Sequence, residues 1–192
     1  EGQAGDDHLI GASGHDTLKG GAGDDLLEDG RGSDALYGGT GHDTISGGAH
    51  HDTLKGGDGN DELLGGSGKD QLEGDAGNDS LTGGAGQDQL IGGDGIDTYF
   101  FSYEDYLDSG TAQGDLIIEA NNQQSIIVID QIVLSGMATF QEDDNSWETW
   151  IGESDARRKL SFRFSPNQKD LNIYVYDTNL PQKYLTIKDF SE

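Results

Sequence analysis

Large apolar residues recur along the first half of the chain with a period of nine: Leu9, Leu18, Leu27, Leu36, Ile45, Leu54, Leu63, Leu72, Leu81, Leu90 and Tyr99. Two positions before each stands an aspartate: Asp7, Asp16, Asp25, Asp34, Asp43, Asp52, Asp61, Asp70, Asp79, Asp88 and Asp97. Glycines fill the remaining lattice. The unit reads G-G-x-G-x-D-x-U-x, with U a large apolar residue, and it repeats eleven times from Gly2 to Phe100 with no insertion or deletion. Gly20-Gly21-Ala22-Gly23-Asp24-Asp25-Leu26-Leu27-Glu28 is a clear copy. Glycine holds ten of the first positions, eight of the second and ten of the fourth, which accounts for 28 of the chain's 32 glycines.

A helix needs apolar residues every three to four positions and tolerates interior glycine poorly, so this pattern excludes it. Each apolar residue with its two neighbours predicts a strand of about three residues. The G-G-x-G-x-D segment predicts a turn whose glycines permit positive φ. Two units then form one coil of a flattened solenoid, an all-β parallel β-roll with six strands on one face and five on the other. Its core is thin, because each unit buries little more than one leucine against the cost of ordering nine glycine-rich residues. Stacked coils, however, place carboxylates and turn carbonyls in columns at strand spacing, ~4.8 Å. Such an all-oxygen, partly charged ligand set suits a hard cation of six to eight ligands. Flexible turns fit Ca²⁺ better than the tight octahedron that Mg²⁺ demands.

On these residues the chain resembles the RTX (repeats-in-toxin) family, whose parallel β-rolls bind calcium between turns; the resemblance spans residues 2–100. It implies that turn n and turn n+2 share an ion. Asp7, Asp25, Asp43, Asp61, Asp79 and Asp97 would line one edge with five gaps, and Asp16, Asp34, Asp52, Asp70 and Asp88 the other with four, giving about nine interior calcium sites. Turn carbonyls would complete each shell.

Charge supports this reading. The chain carries a formal −26, and its first 100 residues hold 21 acids against 4 bases, a net of −17. So acidic and apolar-poor an array is expected to be disordered alone. Nine divalent ions would bring +18 against that charge, coupling folding to metal binding. The same acidity makes nucleic acid an unsuitable partner. With no cysteine, neither a disulfide framework nor a thiolate zinc site can form. No apolar run approaches the ~20 residues of a membrane helix, so no transmembrane segment is expected, and no signal peptide is seen. Gln3 and Ala12 stand in place of second-position glycines, as in a fragment of a longer array or a solenoid with degenerate first units.

Several positions depart from the pattern. His50 replaces a fourth-position glycine, where a Cβ resists positive φ. With His51 it would be a pH-sensitive or transition-metal site, or simply drift in a tolerant array. His8, His15, His42 and His51 occupy fifth or seventh positions and read as surface. Asp29 at a first position and Asp75 at a second replace glycine. Either could add a ligand; the expectation is a local loss of regularity.

From residue 101 the lattice stops. Fourteen of the fifteen aromatics lie from Tyr99 onward. Apolar patterning predicts strands over Leu116–Ala120, Ile126–Leu134, Trp147–Ile151, Leu160–Phe164, Leu171–Tyr176 and Tyr184–Phe190. Turns are expected at Asn121–Gln124, Glu142–Asn145 and Asn179–Pro181. Residues 101–192 thus form a β-rich C-terminal segment after the 1–100 roll. Through Asp130-Gln131-Ile132-Val133-Leu134, Asp170-Leu171-Asn172-Ile173 and Leu185-Thr186-Ile187-Lys188-Asp189-Phe190 it resembles the segment that follows RTX arrays in secreted bacterial proteins. That resemblance implies a cap over the open strand edges of the roll. Trp147 and Trp150 would be core or a ligand platform, and Arg157-Arg158-Lys159 a solvated turn.

Catalytic motifs are missing: every histidine precedes residue 52, so H-E-x-x-H is not formed, and neither G-x-S-x-G nor a P-loop occurs. EF-hand spacing is not met either. The expectation is a non-enzymatic calcium-binding module that folds on meeting extracellular calcium. By the family resemblance it serves the secretion and stability of a larger bacterial protein, a toxin, adhesin or exoenzyme. Its partners would be calcium, the type I secretion machinery in transit, and upstream domains of the parent chain, and its place would be extracellular or at the cell surface. The alternatives are an adhesin tip binding sugar or a surface, and the carrier domain of a secreted protease or lipase.

Overall fold

The computed structural model of the chain describes residues 1–101 and, beyond them, residues 115–118, 126–129, 132–134, 146–150, 158–164, 171–177 and 180–188. The array forms the expected parallel β-roll. Its strands in order are Gln3–Ala4 (β1), His8–Ile10 (β2), Ser13–Gly14 (β3), Thr17–Ala22 (β4), Leu26–Glu28 (β5), Arg31–Gly32 (β6) and Ala35–Thr40 (β7). They continue with Thr44–Ala49 (β8), Thr53–Asp58 (β9), Glu62–Gly68 (β10), Gln71–Ala76 (β11), Ser80–Gly86 (β12), Gln89–Asp94 (β13) and Thr98–Phe101 (β14). Each strand pairs in parallel with the strand two units away, Leu63 facing both Ile45 and Leu81, Leu72 facing both Leu54 and Leu90. Consecutive units therefore fall on opposite sheets, and two units complete one coil.

The strands are longer than the three residues read from the apolar pattern. From β7 onward most run six or seven residues, through the apolar triplet and into the following G-G-x. Pairing resumes after the first-position glycine, as in Leu64 opposite Thr82 and then Gly66 opposite Gly84. The coil thus bends at glycine without losing its ladder. Second-position glycines such as Gly57, at φ +114°, make that bend possible. A Cβ on Gly57 would also meet the carbonyl of Gly39 in the previous coil.

The eighth-position side chains from opposite sheets meet in a single-file core. Leu27, Leu36, Ile45, Leu54, Leu63, Leu72, Leu81, Leu90 and Tyr99 are all fully buried. Leu9 and Leu18 are only half-buried: β2, which carries Leu9, is the edge of its sheet, and β1 covers β4 only at Gly21 and Ala22, leaving Leu18 without a partner on that side.

Both sheets continue past the last nonapeptide. Asp115–Ile118 (β15) pairs in parallel with β13, placing Leu90 opposite Ile117, and Ile117 is buried like the eighth-position residues from Leu27 onward. Ile126–Ile129 (β16) extends the other sheet on β14, with Tyr99 opposite Ile127. Asp115-Leu116-Ile117-Ile118 therefore acts as the D-x-U-x half of another unit, although residues 102–114 separate it in sequence from the last strand of the array.

The remaining strands are Ile132–Leu134 (β17), Ser146–Trp150 (β18), Arg158–Phe164 (β19), Leu171–Asp177 (β20) and Leu180–Lys188 (β21). The first sheet runs β1-β4-β7-β9-β11-β13-β15-β21-β20-β19-β18, and the second ends β14-β16-β17. The strand β21 lies parallel to β15, and β18 to β21 form an antiparallel meander.

In three places the C-terminal strands depart from the apolar pattern. Ile126–Leu134 is two strands, β16 and β17, paired antiparallel with Ile129 opposite Ile132, with the polar residues Asp130 and Gln131 between them in sequence. Leu180 and Pro181 belong to β21, opposite Asp177 and Tyr176, and not to a turn; a proline is tolerated at a strand's start. Arg158 and Lys159 open β19 opposite those same two residues. The turns expected at Asn121–Gln124 and Glu142–Asn145 lie outside the described residues. No helix among the described residues is long and apolar enough to cross a membrane.

Candidate metal sites along the two edges

The coil period places the sixth-position aspartates in two columns, one on each edge of the roll. In both, the backbone N–H of each aspartate donates to Oδ1 of the aspartate one coil onward. On one edge the bonds run Asp7 to Asp25, Asp25 to Asp43, Asp43 to Asp61 and Asp61 to Asp79 at 2.8 Å, then Asp79 to Asp97 at 3.0 Å. On the other they run Asp16 to Asp34, Asp34 to Asp52, Asp52 to Asp70 and Asp70 to Asp88 at 2.8–2.9 Å. This second ladder does not stop with the array: Asp88 N–H donates to Asp115 Oδ1 at 2.9 Å.

The other carboxylate oxygen is left over. Oδ2 of Asp7, Asp16, Asp25, Asp34, Asp43, Asp52, Asp61, Asp70 and Asp79 is buried and accepts no hydrogen bond. Residues from Asp25 to Asp79 in these columns are at most 4% exposed. A buried, unpaired carboxylate oxygen is costly, and a column of them is not a structure that protein groups alone stabilise.

The first-position glycines show what the space beside each Oδ2 holds. Their φ is ordinary, unlike that of the fourth positions and of every second position but Gly30. What excludes a side chain is room: a Cβ on Gly65 would lie 2.8 Å from Asp70 Oδ2 and 2.6 Å from the Gly83 carbonyl oxygen. The same neighbours recur at Gly38 with Asp43 and Gly56, at Gly47 with Asp52 and Gly65, and at Gly56 with Asp61 and Gly74. Each glycine thus leaves a small cradle lined by its own unit's carboxylate and by a carbonyl from the next coil. The donors are all oxygen, which is the set a hard divalent cation takes.

The electrostatics agree. Burial pushes the Asp43 carboxyl up to about 6 and those of Asp70 and Asp79 up to about 7, against an ordinary value of 3.8. The ladder N–H of the preceding aspartate opposes each shift, and neighbouring carboxylates in the column add to it. Asp52 and Asp61 are raised for the same leading reason. A cation between the coils would reverse this by favouring the charged forms.

A second ladder, unforeseen in the sequence, runs beside the first at the fifth positions. There the side chain accepts the N–H of the fifth residue one coil later. The series is Asp6 from Asp24, Asp24 from His42, His42 Nδ1 from Asn60, Asn60 from Asn78 and Asn78 from Ile96, at 2.7–2.9 Å. On the other edge His51 Nδ1 accepts from Lys69 at 2.8 Å and His15 Nδ1 from Ser33 at 3.1 Å. These histidines are exposed, as expected of surface residues, but they also hold coils together. The signal was the recurrence of short acceptors, Asp, Asn and His, at that position. His8 pairs with Glu28 at 2.6 Å.

The departures from consensus resolve individually. His50 adopts φ +87°, while the fourth-position glycines span +105° to +157°, and its N–H still donates to Ser67 at 2.7 Å. The neighbouring coils enforce the turn. Gln3, Ala12 and Asp75 keep positive φ at second positions in the same way. Asp75 is exposed. Asp29 is different. The strand is interrupted between β5 and β6 at Asp29-Gly30, the expected loss of regularity, yet the side chain turns inward and groups with Asp16 and Asp34.

Residues 1–34, 28–63 and 64–99 match the RTX calcium-binding nonapeptide repeat, in four copies. No curated protein matches the chain. Among solved structures, the solution structure of the AlgE6R3 subunit from the Azotobacter vinelandii mannuronan C5-epimerase is 25% identical over 73% of this chain and 71% of that one, with a TM-score of 0.43. The repeat match covers just over half of the chain, which belongs to the RTX calcium-binding nonapeptide repeat family.

Proposed function

We propose that this calcium-binding β-roll is a non-catalytic folding module of a larger bacterial protein exported by a type I system, unfolded where calcium is scarce and folded outside the cell. The observation that carries the reading is the double column of buried Oδ2 atoms without hydrogen-bond donors, each beside a glycine cradle. The sixth-position aspartates from Asp7 to Asp97 would hold about nine ions, together with first-position carbonyls such as those of Gly56, Gly65, Gly74 and Gly83. Bound calcium supplies positive charge between coils that otherwise repel.

The chain's own residues do the rest. Oδ1 of each aspartate sets the coil-to-coil register through the N–H ladder. Oδ2 faces the cradle and stays unsatisfied until a cation arrives, so the folded state is penalised in its absence. The single-file leucine core is too slight to offset that penalty together with the −17 charge of the array. Folding and metal binding therefore become one equilibrium. Strands β15, β16 and β21 extend both sheets and cover the end of the roll at Leu90 and Tyr99, a capping role for the C-terminal segment. In transit the unfolded chain would engage the type I machinery, and outside it would support the upstream domains of its parent.

The test is far-ultraviolet circular dichroism of the full chain in excess chelator, in ~10 mM calcium and in ~10 mM magnesium, well above the ~10⁻⁴ to 10⁻³ M dissociation constants of extracellular sites. Full β signal should need calcium and not form with magnesium. Equal β content in chelator would overturn the reading.

A further inference from the structure

We propose that Asp29 makes the gap between the second and fourth turns a three-carboxylate site, which takes up calcium before the other gaps and accepts a trivalent cation in preference to them. The proposal deepens the calcium-binding reading above and rests on it.

Ten of eleven units carry glycine at the first position, and at nine of these a Cβ would press on the unit's own sixth-position carboxylate; at Gly11 it would meet Asp29 instead. Unit four carries Asp29 there. The strand is broken at this point, β5 ending at Glu28 and β6 resuming at Arg31, although Asp29 N–H still donates to Ser46 at 2.8 Å. Its carboxylate then folds back toward the preceding coil and lies against the cradle of Gly11, which opens the second unit. Oδ1 accepts the Gly30 N–H at 2.7 Å, while Oδ2 is buried and accepts nothing.

Asp16, Asp29 and Asp34 each bring one carboxylate oxygen to a group in which these atoms lie within 4.8 Å of one another. Asp34 is only 4% exposed, with Oδ1 engaged by the Asp16 N–H and Oδ2 lacking any donor. That buried, unsatisfied oxygen is what distinguishes this group from an acidic patch on a surface. A divalent ion neutralises two of three charges here and leaves one in excess, so this gap attracts cations more strongly than a gap with two carboxylates. Charge count is one of the levers, with site rigidity, by which all-oxygen sites tune calcium affinity, and it favours a trivalent ion most where the excess is largest.

The placement also has a structural use. The coils beside this gap are the ones with half-buried Leu9 and Leu18 and with split strands β2/β3 and β5/β6. They have the least core to hold them, and a tightly held ion would compensate for that.

The experiment is calorimetric titration of the full chain with calcium alone, and separately with terbium(III) alone, in the wild type, Asp29→Gly, Asp29→Asn and Asp75→Gly. Asp29→Gly restores the consensus unit, so misfolding is not the expected result. The wild type should take its first calcium at a free concentration at least about tenfold below the remaining sites. Asp29→Gly and Asp29→Asn should lose that tight class, and the early uptake of one terbium, while Asp75→Gly keeps both. If Asp29→Gly binds its first calcium as tightly as the wild type or more tightly, Asp29 is a lattice defect and the proposal is wrong. If no variant, nor the wild type, binds calcium, it is the calcium-binding reading itself that fails.

Discussion

The two oxygens of one interior aspartate can be separated by a single substitution. Asp61 Oδ1 accepts the Asp43 N–H at 2.8 Å, the Asp61 N–H donates to Asp79 Oδ1 at 2.8 Å, and Oδ2 accepts nothing. Asp61→Asn keeps an oxygen for the ladder and removes the charge facing the cradle of Gly56. A site with a dissociation constant of ~10⁻⁴ M in ~10 mM calcium contributes about 2.7 kcal/mol to stability, so emptying it should cost about that much. Hydrogen exchange at the amides of Asp61 and Leu63 in ~10 mM calcium should therefore accelerate about a hundredfold. Without metal the sign reverses. Burial raises the Asp61 carboxyl, so its charged form penalises the ion-free fold, and asparagine removes that penalty. In chelator at mildly acidic pH, Asp61→Asn should hold at least as much β structure as the wild type. Asp61→Ala, which loses the ladder bond as well, should be worse in both conditions. Unchanged exchange for Asp61→Asn in calcium, alongside faster exchange for Asp61→Ala, would show that the carboxylate serves the ladder alone.

Acid should partly substitute for calcium. The Asp43, Asp70 and Asp79 carboxyls titrate at about 6 to 7 in the ion-free fold and near 3.8 when unfolded, so the fold binds more protons across that window and gains stability as pH falls from about 7 toward 4. Dichroism in chelator should show more β structure at pH 5 than at pH 7.5, and calcium affinity should weaken over the same interval; a pH-independent signal counts against this. His50→Gly should stabilise the calcium-loaded chain by about 1 kcal/mol in urea, since φ +87° is unfavourable for a residue with a Cβ; no gain would mean the strain is absent. His42→Asn should preserve the fifth-position ladder as Asn60 and Asn78 do, whereas His42→Ala should lose about 1 kcal/mol with the Asn60 N–H left unbonded. A truncation ending at Phe100 strips β15 from β13 and β16 from β14, and should show reduced β content even in ~10 mM calcium; equal content would make the C-terminal segment dispensable.

The nine-residue period made the roll, its coil of two units and the two aspartate columns legible, because each depends only on spacing. Strand length was not legible: hydrophobicity marks the three residues around the leucine, while pairing through G-G-x is carried by backbone groups that leave no side-chain pattern. The role of the first-position glycine was hidden for a related reason. Glycine usually signals positive φ, and at Gly56 or Gly65 the reason is instead the lack of space beside a carboxylate. Asp115 was not legible because the unbroken repeats end at Phe100 and Tyr106 stands where the next aspartate would fall, although Asp115-Leu116-Ile117-Ile118 carries the second half of the motif intact. The inward turn of Asp29 could not be read at all, since its direction follows from crowding by neighbouring coils. Similarly, only coil-to-coil distances reveal that the exposed His15, His42 and His51 accept backbone bonds through Nδ1.

The central claim is that the unsatisfied Oδ2 columns are calcium ligands. Crystals of the full chain grown in ~10 mM calcium, with an anomalous difference map collected at long wavelength, test it directly. The account predicts peaks in the interior gaps along both edges, ~2.3 to 2.6 Å from Oδ2 of residues such as Asp43, Asp61, Asp70 and Asp79 and from the first-position carbonyl oxygens. Cradles filled by water or closed by rearranged side chains, with no anomalous signal along either edge, would contradict it.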